Sequence, residues 1–168
     1  MGVSFGGLLA PLAATKESRL RALIANGGVV SFRDVVASKI PPDDDTDTRN
    51  LSAIIEKMMA NDTTARWAIL HGKYVFGASN FSEFLEKIQP FEATNLSSIS
   101  CDTLVIDADQ EGFFAGQPRR MFDELTCKKT YMKFLDSESA GAHCQAGAEG
   151  LGAQKIFDWL DEEMAINI

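Results

Sequence analysis

Gly2-Val3-Ser4-Phe5-Gly6 is a G-x-S-x-G run, extended by Gly7. A serine in this setting sits on a sharp strand-to-helix turn, and small flanking residues keep bulk away from its Oγ. Ser4 is thus a candidate nucleophile. A serine hydroxyl is a weak nucleophile unless a base takes its proton, and the base needs a group that fixes its tautomer. Only two histidines are present. His143, in Ala140-Gly141-Ala142-His143-Cys144, falls after the last expected strand and before the last expected helix. It reads as the general base, the plainer alternative being a loop histidine with a structural hydrogen bond. His71 stands among Trp67, Leu70 and Tyr74 and reads as a packed or capping side chain. Asp107, Asp109 and Glu111 follow an apolar run, and each is a candidate for the orienting carboxylate. Those not so used read as loop caps or solvated acids. Serine, acid and histidine can together perform acyl transfer: attack on the carbonyl of an ester, lactone, amide or activated C–C bond, an acyl-enzyme, and its hydrolysis by water. The backbone N–H of Phe5 is expected to supply one oxyanion donor.

Such a set needs strands and helices to hold it. A helix is expected from Phe5 to about Thr15, with Pro11 inside it to bend it or remove one hydrogen bond. Leu20 to Ala25 reads as a buried strand ended by Asn26-Gly27-Gly28. From Val29 to about Ser100 the pattern turns helical. Pro41-Pro42-Asp43-Asp44-Asp45 is a solvated break, and Leu51, Ile54, Ile55, Met58 and Met59 share one helix face. Thr63 to Phe76 carries Trp67, Ile69, Leu70, Tyr74 and Phe76, and Ser82 is a plausible N-cap for a helix ended by Pro90. Thr103 to Ile106 has the unbroken apolar character of a parallel strand buried on both faces. Gln117 to Leu125 reads as a helix and Thr130 to Leu135 as a strand. Ala148 to Met164 reads as a helix with Leu151, Ile156, Phe157, Leu160 and Met164 inward. This order predicts an α/β fold with a mostly parallel sheet.

Composition narrows the partners. The 168 residues are 45% hydrophobic and 24% charged, which suits a globular protein with a real core. A net charge of −8 leaves no basic footprint for nucleic acid and disfavours anionic membranes. No apolar run reaches the ~20 residues of a membrane span. Met1 to Ala14 is apolar but lacks a basic n-region, and Gly6 stands where a myristoylation pattern needs Ser or Thr. The three cysteines, Cys101, Cys127 and Cys144, have no metal-ligand spacing and favour a reducing compartment, so the expected location is cytoplasmic. The sequons at Asn50, Asn61, Asn80 and Asn95 then read as chance matches. No metal or cofactor is called for, and the expected partner is a small carbonyl-containing substrate.

Several segments together resemble the α/β-hydrolase superfamily. They are Gly2-Val-Ser-Phe-Gly-Gly-Leu-Leu-Ala-Pro, Trp67-Ala-Ile-Leu-His-Gly, Thr103-Leu-Val-Ile-Asp-Ala, Glu111-Gly-Phe-Phe-Ala-Gly-Gln and Gly141-Ala-His-Cys-Gln-Ala-Gly-Ala. They are similar to the branch that holds fungal secondary-metabolite hydrolases and esterases, and to dihydropseudooxynicotine-type C–C hydrolases. The resemblance implies a partial α/β-hydrolase fold. Residues 1–28 would be the nucleophile elbow, helix and strand of the core, 29–100 a helical cap insertion, and 101–168 the C-terminal core with acid and histidine. It implies that Ser, acid and His follow in that chain order, and the family's strand-end spacing favours Glu111 as the acid, with Asp109 and then Asp107 as alternatives. It implies that Trp67 and Phe76 wall a substrate pocket, the plainer reading being cap core. It makes Asp34 a candidate acid behind the triad, against a solvated loop residue. In this frame the family's N-terminal strands are absent, the strand leading into the elbow is expected upstream of Met1, and the second oxyanion donor is expected from a segment the chain does not contain. The alternative expectation is therefore a truncated, catalytically inactive hydrolase fragment or a non-catalytic binding protein, whose exposed sheet edge would favour aggregation or a homodimer.

Overall fold

The computed structural model describes residues 1–40 and 48–164; the Pro41–Asp45 break and the side chain of Leu51 lie outside the described residues. The elements run β1 (Gly2–Val3), α1 (Gly6–Ala14), β2 (Ala22–Asn26), α2 (Phe32–Ala37), α3 (Thr48–Asn61), α4 (Thr63–Val75), α5 (Phe81–Ile88), β3 (Asp102–Ala108), α6 (Gln117–Glu124), β4 (Lys129–Phe134) and α7 (Glu149–Met164). Phe32–Phe91 forms one compact unit, and the segments on either side of it form the other.

The flanking segments build an α/β unit around a four-stranded sheet in the order β1-β2-β3-β4, every pair parallel. The strand leading into the elbow, expected upstream of Met1, reaches into the chain: Gly2 and Val3 pair with Ala25 and Asn26. Apolar continuity places β2 and β3 at the centre, where Leu23, Ile24, Ala25, Leu104, Val105 and Ile106 are all buried. Alternation splits these side chains between two faces. Ile24, Leu104, Ile106 and Phe134 pack against Ile156 and Trp159 of α7. Met121 of α6, Val105 and Ala25 converge around Gly28.

Helix α7 turns differently from the expected pattern. Gly152, Ile156 and Trp159 are its buried residues, whereas Phe157 is 57% exposed. Positions i, i+4 and i+7 share a face, and Trp159 brings the larger ring together with an Nε1–H that donates to Thr130 Oγ1 at 3.0 Å. In α1, Pro11 removes the N–H that would have bonded the Gly7 carbonyl. That carbonyl instead accepts from Val29 N–H at 3.3 Å, tying the helix to the segment after β2.

The Phe32–Phe91 unit contains α2 to α5. Asp62 caps α4 by accepting from the N–H groups of Thr64 and Ala65. Asn80, not Ser82, caps α5, accepting from Glu83 N–H at 2.9 Å, because the helix begins at Phe81. Phe76 is the centre of an aromatic cluster with ring centroids 5.0 Å from Phe91, 5.7 Å from Phe84 and 6.2 Å from Phe32. Within the α/β unit, the two stretches of chain that flank this segment are pinned together. Ser31 bridges Glu92, Ala93 N–H donates to the Val30 carbonyl at 2.6 Å, and Gln117 Oε1 accepts from both Val30 and Ser31 N–H at 3.0 Å. Among the described residues no helix is long and apolar enough to cross a membrane.

The glycines around Ser4 do different jobs. A Cβ on Gly2 would lie 1.9 Å from the Gly6 carbonyl oxygen, and one on Gly7 would lie 2.4 Å from that of Gly27, whereas one on Gly6 would meet nothing within 4 Å. Helix α1 can approach the strand ends this closely only with hydrogen at positions 2 and 7. Gly7→Ala should therefore cost at least about 1–3 kcal/mol of stability from overpacking. Gly6→Ala should be neutral or gain up to about 1 kcal/mol. Chemical denaturation of the two variants, with equal midpoints as the contrary outcome, checks this.

Candidate active site

Parallel pairing puts the carboxyl ends of all four strands on one edge, and the loops that leave them carry the candidate residues. Ser4 follows β1 with φ 56°, a left-handed conformation that a non-glycine residue adopts only under local constraint. Its N–H donates to the Asn26 carbonyl at 2.9 Å, and its own carbonyl accepts from Gly7 N–H at 2.7 Å as α1 begins. The turn aims Oγ at the imidazole: Ser4 Oγ lies 2.9 Å from His143 Nε2. Phe5 is the N-cap of α1, so its backbone N–H lies at the positive end of that helix.

His143 belongs to the segment after β4, the strand farthest from β1. Three inter-strand steps of about 4.8 Å, roughly 14 Å in all, separate the two. The segment crosses that distance in steps. Gln110 N–H donates to the Gly141 carbonyl at 2.8 Å above β3. Above β2, Asn26 Nδ2 donates to Gln145 Oε1 at 2.8 Å, and the Cys144 thiol donates to the Asn26 carbonyl at 3.6 Å. Cys144 and Gln145 take positive φ, 51° and 57°, to make this turn.

Glu111 is 8% exposed. One carboxylate oxygen accepts from the N–H groups of Phe113 and Phe114, both at 3.0 Å. The carboxylate also lies 2.7 and 2.9 Å from His143 Nδ1. Since the carboxylate is acceptor-only, Nδ1 carries a proton, and in the neutral form of the ring Nε2 presents its lone pair to Ser4. The rings of Phe113 and Phe114 flank the imidazole at 4.9 and 5.2 Å. Burial pushes the Glu111 carboxyl up, but hydrogen bonds from His143 and from the Phe114 and Phe113 N–H groups outweigh it and hold the group below the usual carboxylate range. For His143, burial disfavours the charged form, and hydrogen bonds with Cys144, 3.4 Å from Nε2, and with Glu111 outweigh that penalty, raising its pKa to about 9.

The other sequence candidates lie elsewhere. Asp109 pairs with Lys133 at 2.8 Å and accepts from Asp136 N–H, so it does not reach His143. Asp107 accepts from the Tyr131 hydroxyl. Asp34 is an exposed residue in the first turn of α2, not on a loop. Trp67 is 59% exposed and stacks on His71 at 5.4 Å, and Phe76 sits in the aromatic cluster of its own unit. Sequence reasoning missed Asn26 and Gln145. A polar residue ending an apolar strand just before Gly27-Gly28 was a signal for Asn26; Gln145 left none.

The raised His143 pKa has a definite sign. The folded state favours the imidazolium, so this group adds stability below about pH 6.5 and loses that contribution as pH rises through about 9. Only the neutral imidazole can accept a proton from Ser4, and below pH 9 its fraction falls about tenfold per pH unit. NMR titration of the two histidines, assigned with a His71→Gln variant, should give His143 a midpoint near 9. A midpoint at or below 6.5 would contradict it.

No family model matches the chain. It is 27% identical over 98% of its length to hydrolase LUC6 of a Fusarium species, and covers 43% of that protein. It is 25% identical over 98% of its length to the α/β-hydrolase psoB of Aspergillus fumigatus, covering 41% of it. Its fold superposes on the crystal structure of 2,6-dihydroxy-pseudo-oxynicotine hydrolase with a TM-score of 0.62 at 21% identity, across 98% of this chain and 39% of that one. The chain thus spans about two fifths of the length of the relatives it matches. With its parallel sheet and surrounding helices, the chain is a relative of the α/β-hydrolases and carries part of their fold.

Proposed function

We propose that this chain carries the catalytic triad of a serine hydrolase that acts on a small carbonyl-containing substrate through an acyl-enzyme. The observation that carries the reading is the continuous line from Ser4 Oγ through His143 to Glu111, with heavy-atom separations of 2.9 and 2.7 Å. Ser4 Oγ attacks the carbonyl carbon as His143 Nε2 takes its proton. Glu111 stabilises the imidazolium and keeps Nδ1 protonated. The Phe5 N–H is one donor to the developing oxyanion. His143 then returns the proton to the leaving group, and water, activated by the same nitrogen, releases the acyl group. Esters, lactones, amides and activated C–C bonds are all open to this sequence. The hydrolase names of the relatives support it, and a cytoplasmic setting fits the free thiols.

A fluorophosphonate probe tests the assignment directly. Wild-type protein should label at Ser4, Ser4→Ala should not, and the rate should rise with pH through about 9 as the base becomes neutral. Glu111→Gln should slow labelling by about 10,000-fold, because the amide favours the wrong imidazole tautomer. Labelling that survives Ser4→Ala would refute the nucleophile. No labelling of folded wild type would favour the non-catalytic reading.

A further inference from the structure

Between the nucleophile and the base lies a buried polar pair that does none of the chemistry. Asn26 ends β2 at 3% exposure, Gln145 follows the histidine turn at 2% exposure, and one hydrogen bond of 2.8 Å joins them. Each also carries an atom without a partner among the described residues, Asn26 Oδ1 and Gln145 Nε2. Turning both amides over changes which atoms pair but leaves as many unpaired. Such atoms are costly to bury, and Gln145 adds a left-handed φ of 57°. The side chain is nonetheless given room: a Cβ on Gly152 of α7 would lie 3.2 Å from Gln145 Cβ. As a stability device the pair is poor. Its placement is informative, because the Asn26 carbonyl accepts from Ser4 N–H and from the Cys144 thiol, while its amide grips the residue after Cys144. One residue thus contacts both sides of the Ser4–His143 gap.

We propose that Asn26 and Gln145 are positioning residues that set the approach of His143 to Ser4, at a cost in stability. This rests on the reading of those two residues as nucleophile and base. Without the amide bond the turn through Cys144 and Gln145 is free to relax, and Nε2 drifts from Oγ.

The test uses the 168-residue chain with Asn26→Leu, Gln145→Met and the pair together. Each removes the bond while roughly keeping volume. The variants are expected to melt at or above the wild-type temperature yet label with fluorophosphonate about 100-fold more slowly, the loss that a displacement of about 1 Å brings. The His143 midpoint is expected to move from about 9 towards 6.5. Gln145→Glu, which keeps an acceptor for Asn26 Nδ2, is expected to retain most of the labelling. Folded apolar variants that label at the wild-type rate would overturn the proposal, and so would apolar variants that fail to fold, since the pair would then serve stability. If wild type itself does not label, the hydrolase reading fails separately and the NMR arm decides: an unchanged His143 titration in both variants overturns the positioning role, and a lowered midpoint sustains it.

Discussion

The nucleophile follows β1 and the base follows β4, three strands away in the sheet, and the site exists only because a loop closes that gap. Parallel pairing fixes the separation at roughly 14 Å, too far for any side chain. The segment after β4 must therefore run back over the ends of β3 and β2, and it is fastened at each: at Gln110 over β3, at Asn26 over β2. The acid needs no such journey. Glu111 leaves the central strand β3 and is held by the N–H groups of its own turn, so it waits where the returning histidine arrives.

Strain and incomplete hydrogen bonding gather along this route. Ser4, Cys144 and Gln145 hold left-handed backbones, and Asn26 and Gln145 bury unpaired amide atoms worth about 1–3 kcal/mol each. Each such feature is unfavourable alone and persists where surrounding packing over-determines it. Here the surroundings are the largely buried strands β2 and β3 and the close approach of α1 through Gly7. The rigid centre of the sheet holds the strained rim in shape.

Much of this was legible in the residues. The apolar runs announced β2 and β3, and the glycine-flanked serine announced the turn that Ser4 makes. Local signals failed where two candidates competed on one helix or loop. Phe157 looked buried because it is large and apolar, but the face of α7 was set by Trp159 and by the partner its indole finds in Thr130. Ser82 looked like a cap, but Asn80 serves because the helix starts a residue earlier than Ser82. Glu111, Asp109 and Asp107 are equivalent by residue type; the strand-end spacing of the resembling family favours Glu111, and the return path of the histidine, invisible in a linear reading, is what brings His143 Nδ1 to it. The Asn26–Gln145 bond joins residues far apart in the chain, so no window on the sequence contains it.

The pinned junction at Val30–Ser31 and Glu92–Ala93 has a further consequence. The chain leaves and re-enters the α/β unit at one clasped point, so the polypeptide between is a closed loop whatever its length. Closure entropy grows only logarithmically, so a tenfold change in the length of that segment alters its cost by about 2 kcal/mol. The segment is in effect a cassette clasped at its base, whose length enters the cost of closing it only weakly.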